Sequence, residues 1–187
     1  MGTGDGSYVI KCARDNADKF FIGIDAAAEN LSHNSQKAAK KPQKGGLPNV
    51  LFVHANVETL PQELNGVATE ITINLPWGSL LKAVATPDLA ILKGIAKLCK
   101  TGANLRVIFG YDLANEKKTI EELGLPLITS AYLDNTLTCA YREAGFDITW
   151  CYLSQDELKQ LPTAWAKKLA YGKERQFIQI QGKYVGE

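Results

Sequence analysis

"MGTGDGSYVIKCARDNADKFFIGID", residues 1–25, is the stretch that decides the fold. Gly2, Gly4 and Gly6 space out a loop that can turn sharply and let backbone approach a ligand closely. "GSYVIKCARDNA" follows at helical spacing, with Val9, Cys12, Ala13 and Asn16 on one face. A helix that opens on such a loop offers unpaired N–H groups to an anionic or nucleotide-type ligand. "FFIGID" then reads as a short buried strand ending in Asp25. A carboxylate at that distance from the loop is placed to accept hydrogen bonds from ribose hydroxyls. Asp25 has a second reading, as the N-cap of the helix that "DAAAEN" begins. Such a loop ordinarily follows a strand, and here only Met1 precedes it.

Outward from this stretch, helical and strand patterns alternate. "AAENLSHNSQKAAKK" predicts a helix stopped by Pro42 and Gly45-Gly46. "NVLFVHAN" and "EITINLP" predict strands, and "DLAILKGIAKLCKTG" an amphipathic helix with Gly102 near its end. "NLRVIFGYD" is a further strand, followed by a charged helix around 115–122 and a helix across "SAYLDNTLTCAYREAG". The strand "FDITWCYL", a short helical region around 155–170 and the strand "RQFIQIQGKYV" complete the chain. The expectation is an α/β fold, a parallel sheet with helices on both faces that an antiparallel strand pair finishes. The 187 residues suit one domain, with residues 42–49 as a flexible loop.

Apolar residues make up 45% and charged residues 22%, ordinary for a globular protein. No apolar run approaches the roughly 20 residues of a membrane span, and no basic-then-apolar leader opens the chain. A cytoplasmic protein is expected. Cys12, Cys99, Cys139 and Cys151 form no Cys-x-x-Cys pair, so they read as buried thiols, not a disulfide set or metal site. His33 and His54 lack an obvious partner, which argues against histidine-centred catalysis. The net charge of +1 conceals two basic clusters. Lys37, Lys40, Lys41 and Lys44 form a linker across 36–49; Lys167, Lys168, Lys173 and Arg175 fall in 155–175. Each cluster alone could simply solvate a helix face. Two together on a neutral chain suggest a polyanion such as RNA.

Other candidates fall where open α/β sheets hold ligands, at the carboxyl ends of strands. Glu58 follows "NVLFVHAN", and Trp77 follows "EITIN" between Pro76 and Gly78. An aromatic there can be core, or can stack on a base taken out of its own stack. Trp165 lies among lysines, poorly placed for a core and well placed for a base. Trp150 reads as core.

Taken in order, "GTGDG", "FFIGID", "KKPQKGGLPNVLFV", "VETLP", "LPWGSLL", "GLPL" and "WAKKLAYGKERQF" resemble the 16S rRNA (adenine-N1) methyltransferases that confer aminoglycoside resistance. "LPWG" and "WAKKLAYG" are the most specific pieces. The resemblance implies a class I, Rossmann-like methyltransferase sheet and S-adenosylmethionine as cofactor. It implies 16S rRNA in the 30S subunit as partner, no metal, no membrane, and a monomer. It assigns Gly2, Gly4, Gly6, Asp25, Glu58 and Thr163 to the cofactor, and Trp77 and Trp165 to the two faces of a flipped adenine. The lysines of 36–49, with Lys167, Lys168, Lys173 and Arg175, would hold rRNA. Leu123 stands where some relatives carry a basic residue.

In that family the glycine loop follows a central strand ending in an acid that helps hold the cofactor. The resemblance therefore implies that the first strand is missing here, through a start codon assigned too late or a shortened chain. Without it, an unstable or aggregation-prone chain and weak cofactor binding are expected. A tRNA (guanine-N7) methyltransferase and a non-catalytic RNA-binding relic are the alternative readings.

Overall fold

The computed structural model describes every residue except 162, 164, 165, 167, 170, 172–174 and 187. Helix α1 (Ser7–Asp15) starts directly after Gly6, whose φ of 76° puts it in the left-handed region. The Asp5 carboxylate fixes that start, accepting from the Ser7 N–H at 3.0 Å and the Ser7 hydroxyl at 2.7 Å. Val9, Ile10 and Ala13 form its buried stripe. Strand β1 (Phe21–Asp25) pairs in parallel with β2 (Val50–His54), from Phe21 opposite Val50 to Asp25 opposite His54. Between them lies α2 (Ala28–Ala38), burying Leu31, Asn34 and Ala38.

The lysine-flanked segment expected as a flexible loop is instead a tight turn. Pro42–Lys44 form one 3-10 turn, and Leu47 N–H returns to the Ala38 carbonyl at 2.9 Å. Gly46 is required there, because a Cβ would collide with the Lys40 carbonyl.

The second half carries β3 (Ala68–Asn74), α3 (Gly78–Ala85), α4 (Leu89–Lys97), β4 (Cys99–Gly110) and α5 (Lys117–Leu123). It continues through α6 (Ser130–Tyr132), a π-helical turn (Leu133–Leu137), α7 (Thr138–Glu143), β5 (Phe146–Leu153), α8 (Gln155–Gln160) and β6 (Phe177–Tyr184). The sheet order is β3-β4-β6-β5, with β3 and β4 parallel and β6 antiparallel to both its neighbours. The expected antiparallel pair is therefore present, with the last strand inserted between β4 and β5. Helix α4 stops five residues before the sequence pattern suggests. Cys99 already pairs with Ala68, and Gly102 at φ 83° takes the chain through a register shift.

Strand alternation gives this sheet two different faces. Ile71, Ile73, Leu105, Val107, Phe109, Ile178, Ile180 and Phe146 point into the main core against Leu92, Ile95, Leu137 and Tyr141. Burying each such Val, Leu, Ile or Phe side chain stabilises the fold by about 1.5–3 kcal/mol. The opposite face is polar over its lower half, where Glu70, Arg106, Asp147, Thr149, Gln181 and Lys183 line an open groove. Its upper end is apolar: Ile108 packs with Leu75, Leu158, Leu161, Ala166, Leu169 and Phe177 in a second, smaller core.

No ladder joins β1 to β3. Met1–Thr3 runs between them: the Met1 amine donates to Thr72 O at 2.7 Å and Thr3 N–H to Ile24 O at 3.2 Å. The cysteines depart from expectation. All are free, but only Cys99 is buried, while Cys139 and Cys151 are exposed on outward-facing positions of α7 and β5. Trp150 is half-buried, its indole N–H donating to Asp134 at 2.9 Å. Among the described residues no helix is long and apolar enough to cross a membrane, and no cluster of His, Cys, Asp or Glu could hold a metal ion.

Candidate cofactor and base-binding site

The site grows from the glycine loop. Gly2, Gly4 and Gly6 all have positive φ, at 63°, 55° and 76°, a run that residues with a Cβ resist. Space divides them. A Cβ on Gly6 would stand 2.4 Å from the Phe52 ring and one on Gly2 2.8 Å from Leu80, but one on Gly4 would meet nothing within 4 Å. Gly2 and Gly6 thus let neighbours pack, while Gly4 leaves open space over the loop.

Asp25 closes the loop from below. Its Oδ2 accepts from Gly4 N–H at 2.7 Å and its Oδ1 from Ala27 N–H at 3.0 Å. One carboxylate therefore ties the glycine loop to the start of α2, so its loop-side role and its helix-entry role coexist. Ala27, not Asp25, is the N-cap residue of α2. Asn34, buried in α2, donates to the Asp5 carbonyl at 2.6 Å and holds the far side of the loop. Nothing in "LSHNSQ" announced Asn34; its partner lies 29 residues away.

Glu58 sits in a 3-10 turn (Val57–Thr59) just past β2, exposed, with Val57 anchoring the turn in the core. Trp77 is the N-cap residue of α3, and 53% of its surface is open to solvent. It is therefore not the core tryptophan of its alternative reading. Leu75 explains how it is aimed. This residue is buried, yet its φ is 53°, the one positive value among the described non-glycine residues. The left-handed conformation costs roughly 1–2 kcal/mol. Packing in the second core holds it there and turns the chain so that Pro76 is buried and Trp77 is presented outward.

The same small core brings in the 155–175 region. Ala166 and Leu169 pack with Leu75, two residues from Trp77. The Thr163 hydroxyl accepts from Ala166 N–H at 2.9 Å. Trp165, Lys167 and Lys173 lie outside the described residues. Lys168 is exposed. Arg175 is only 25% exposed at its side chain and pairs with Glu116 at 3.0 Å. Burial pushes the Glu116 carboxyl above the usual range, although Arg175 pulls it the other way. The pair spans 59 residues of sequence, which is why no local pattern revealed it. Of the other basic cluster, Lys37 is half-buried and Lys40, Lys41 and Lys44 are exposed around the turn after α2.

Glycine loop, strand-end carboxylate and outward tryptophan gather at the carboxyl ends of parallel strands, and the fold is that of the class I methyltransferases. Residues 1–184 match the family described as NpmA, 16S rRNA (adenine(1408)-N(1))-methyltransferase, and the chain belongs to that family. It is 41% identical over 184 residues to a 16S rRNA (adenine(1408)-N(1))-methyltransferase from Escherichia coli, covering 97% of this chain and 84% of that protein. The crystal structure of the aminoglycoside resistance methyltransferase NpmB1 is similar, with a TM-score of 0.84 and 40% identity over 97% of this chain and 84% of that one. A Catenulisporales acidiphilia enzyme of the same description, solved with its cosubstrate SAM, gives a TM-score of 0.87 at 28% identity, covering 99% and 84% of the two chains.

Proposed function

We propose that this protein methylates N1 of an adenine in the decoding site of 16S rRNA, in the assembled 30S subunit, using S-adenosylmethionine. The product confers aminoglycoside resistance, and the enzyme works as a cytoplasmic monomer. The family match over residues 1–184 carries this reading, and the order of the rim residues supports it.

The residues present fit the cofactor. Gly4 leaves room for close approach, and Gly6 opens α1 with its free N–H groups toward the loop. Asp25 stands at the strand end suited to a ribose, and Glu58 at the neighbouring strand end suits the adenine side. When bound, S-adenosylmethionine supplies an electrophilic methyl group.

Adenine N1 carries a free lone pair at neutral pH, so no side chain has to remove a proton. His54, which ends β2 at this rim with its Nε2 3.0 Å from the Ala26 carbonyl, is given no proton to remove by this chemistry. What the chain contributes is proximity and orientation. Trp77 stacks on one face of the flipped base and Trp165 on the other. Each stack offsets the cost of unstacking by about 1–3 kcal/mol. Thr163, whose hydroxyl accepts from Ala166 N–H at 2.9 Å, serves the cofactor. Lys37, Lys40, Lys41, Lys44, Lys167, Lys168, Lys173 and Arg175 grip the rRNA backbone. Leu123 offers no charge where some relatives have one.

The test is transfer of radiolabelled methyl groups to purified 30S subunits, with bulk tRNA in parallel and primer extension across the decoding site. Label in 30S with a reverse-transcription stop at the target adenine is the expected result. Label in tRNA alone would replace this function with guanine methylation, and label in neither would leave an RNA-binding relic.

A further inference from the structure

Trp77 stands between two residues in the left-handed region, Leu75 at φ 53° and Gly78 at φ 58°. Gly78 takes that conformation freely, and a Cβ there would meet nothing within 4 Å. Leu75 does not. Its own Cβ disfavours positive φ, and Pro76 after it pushes the residue toward an extended backbone. Without support, the segment would favour another conformation over this one by roughly 5- to 30-fold. Backbone strain of this kind persists only where the surroundings over-determine it, and it collects at functional sites.

Two sets of contacts hold Leu75. From the sheet come the Ile108 carbonyl, which accepts from Leu75 N–H at 2.7 Å, and the side chains of Ile108 and Phe177. From outside the sheet come Leu158, Leu161, Ala166 and Leu169. These four belong to a stretch with a firm start, because Ser154 and Glu157 close a capping box around the first turn of α8. Leu161 N–H then donates to the Leu158 carbonyl at 3.1 Å, which keeps both side chains at the second core. The start of α3 adds little, since Leu81 N–H reaches the Trp77 carbonyl only at 3.4 Å. Residues 158–169 thus supply support that Leu75 does not find within its own strand, and they include position 165.

We propose that Leu75 is a positioning residue for the target base, a strained joint through which Leu158, Leu161, Ala166 and Leu169 hold Trp77 in place. With those side chains packed on it, Leu75 keeps its positive φ and the Trp77 ring stays aimed at the rim. With that packing withdrawn, Leu75 relaxes to an extended φ, the chain after it turns, and the ring leaves its position. Such a joint has two discrete settings, and the packing of residues 158–169 selects between them. The two tryptophans are then set as a pair: the stretch that carries residue 165 also supports residue 77 from behind. This role rests on the base-stacking function proposed for Trp77. Leu75 and Leu161 act through that ring and touch no reacting atom themselves.

The experiment labels the whole chain with 5-fluorotryptophan and assigns the Trp77 fluorine resonance through Trp77→Phe. Leu161→Ala should add a second Trp77 resonance with about a tenth or more of the intensity. It should also lower kcat for methyl transfer to 30S subunits about tenfold, with KM for S-adenosylmethionine within about twofold. Leu75→Gly in the same background should restore the single resonance and bring kcat to within about threefold of the unaltered chain, because glycine adopts φ 53° without support. Packing alone predicts the reverse, since the double variant has lost two side chains from the second core. Leu161→Val carries the same comparison if circular dichroism shows Leu161→Ala to be unfolded. A Trp77 resonance that stays single and unshifted in the folded Leu161 variant, or a double variant worse than the single one, would overturn the joint. The fluorine spectra need no 30S subunit, so the two readings separate. The expected spectra with no methyl transfer by the unaltered chain would sink the function and keep the joint; transfer with an unmoved resonance would do the opposite.

Discussion

The glycine-loop end and the tryptophan end of the site are built in opposite ways. Around the loop the contacts are polar: Asp25, Asp5 and Asn34 each hold backbone groups of residues 4–7 or their neighbours. Around Trp77 they are apolar, with Leu75 held at positive φ by packing against Ile108, Leu161, Ala166 and Phe177. Hydrogen bonds can shape a ligand cradle within one short segment. Presenting a large aromatic outward takes a packed support behind it, and that support must come from distant parts of the chain. The two ends should therefore fail differently when mutated.

The largest effect belongs to the polar end. Asp25→Ala removes two charge-assisted hydrogen bonds, each worth about 1.5–3 kcal/mol. Titration calorimetry with S-adenosylhomocysteine should show affinity lower by about 100-fold or more, while binding to 30S subunits measured by filter retention persists. Equal loss of both would mean that the two ends are one cooperative unit.

At the apolar end, Trp77→Ala should lower methyl transfer to 30S by about 10- to 100-fold, from the loss of one stack. Cofactor affinity and thermal midpoint should hardly move, because the ring is largely exposed. A fall in stability of several kcal/mol would show that the ring supports the fold.

These differences follow what the sequence made legible. The alternation of strands and helices, the loop and its strand-end acid lie within 25 residues, and local spacing was enough to read them. Trp77 stood out as a large aromatic at a strand end, but its exposure depends on the φ of Leu75, which no propensity favours. The Glu116–Arg175 pair and the Tyr8–Arg106 contact join residues 59 and 98 apart, so no window of sequence contains them. The turn at 42–47 read as flexible because Pro and Gly mark both loops and tight turns; only the close approach of Gly46 to Lys40 separates the two.

The smallest expected effect tests whether charge matters at the apolar end at all. Glu116 and Arg175 are mostly buried, and burial outweighs the attraction of Arg175 in raising the Glu116 pKa. Because the folded state holds the Glu116 proton more tightly than the unfolded state, this group's contribution to stability falls as pH rises through the carboxylate range. Glu116→Gln keeps the shape and a hydrogen-bond acceptor while removing that desolvated charge. It should shift stability at neutral pH by less than about 1 kcal/mol. Arg175→Ala leaves the carboxylate buried without its partner and should cost about 3 kcal/mol or more. If the two variants cost the same, the pair would be a plain hydrogen bond rather than a charge held by its partner. If Glu116→Gln slows methyl transfer to 30S without lowering stability, the pair sets the position of the segment that carries residue 165. In that case even the apolar end would owe its alignment to one polar contact, placed where the chain enters the last strand of the sheet.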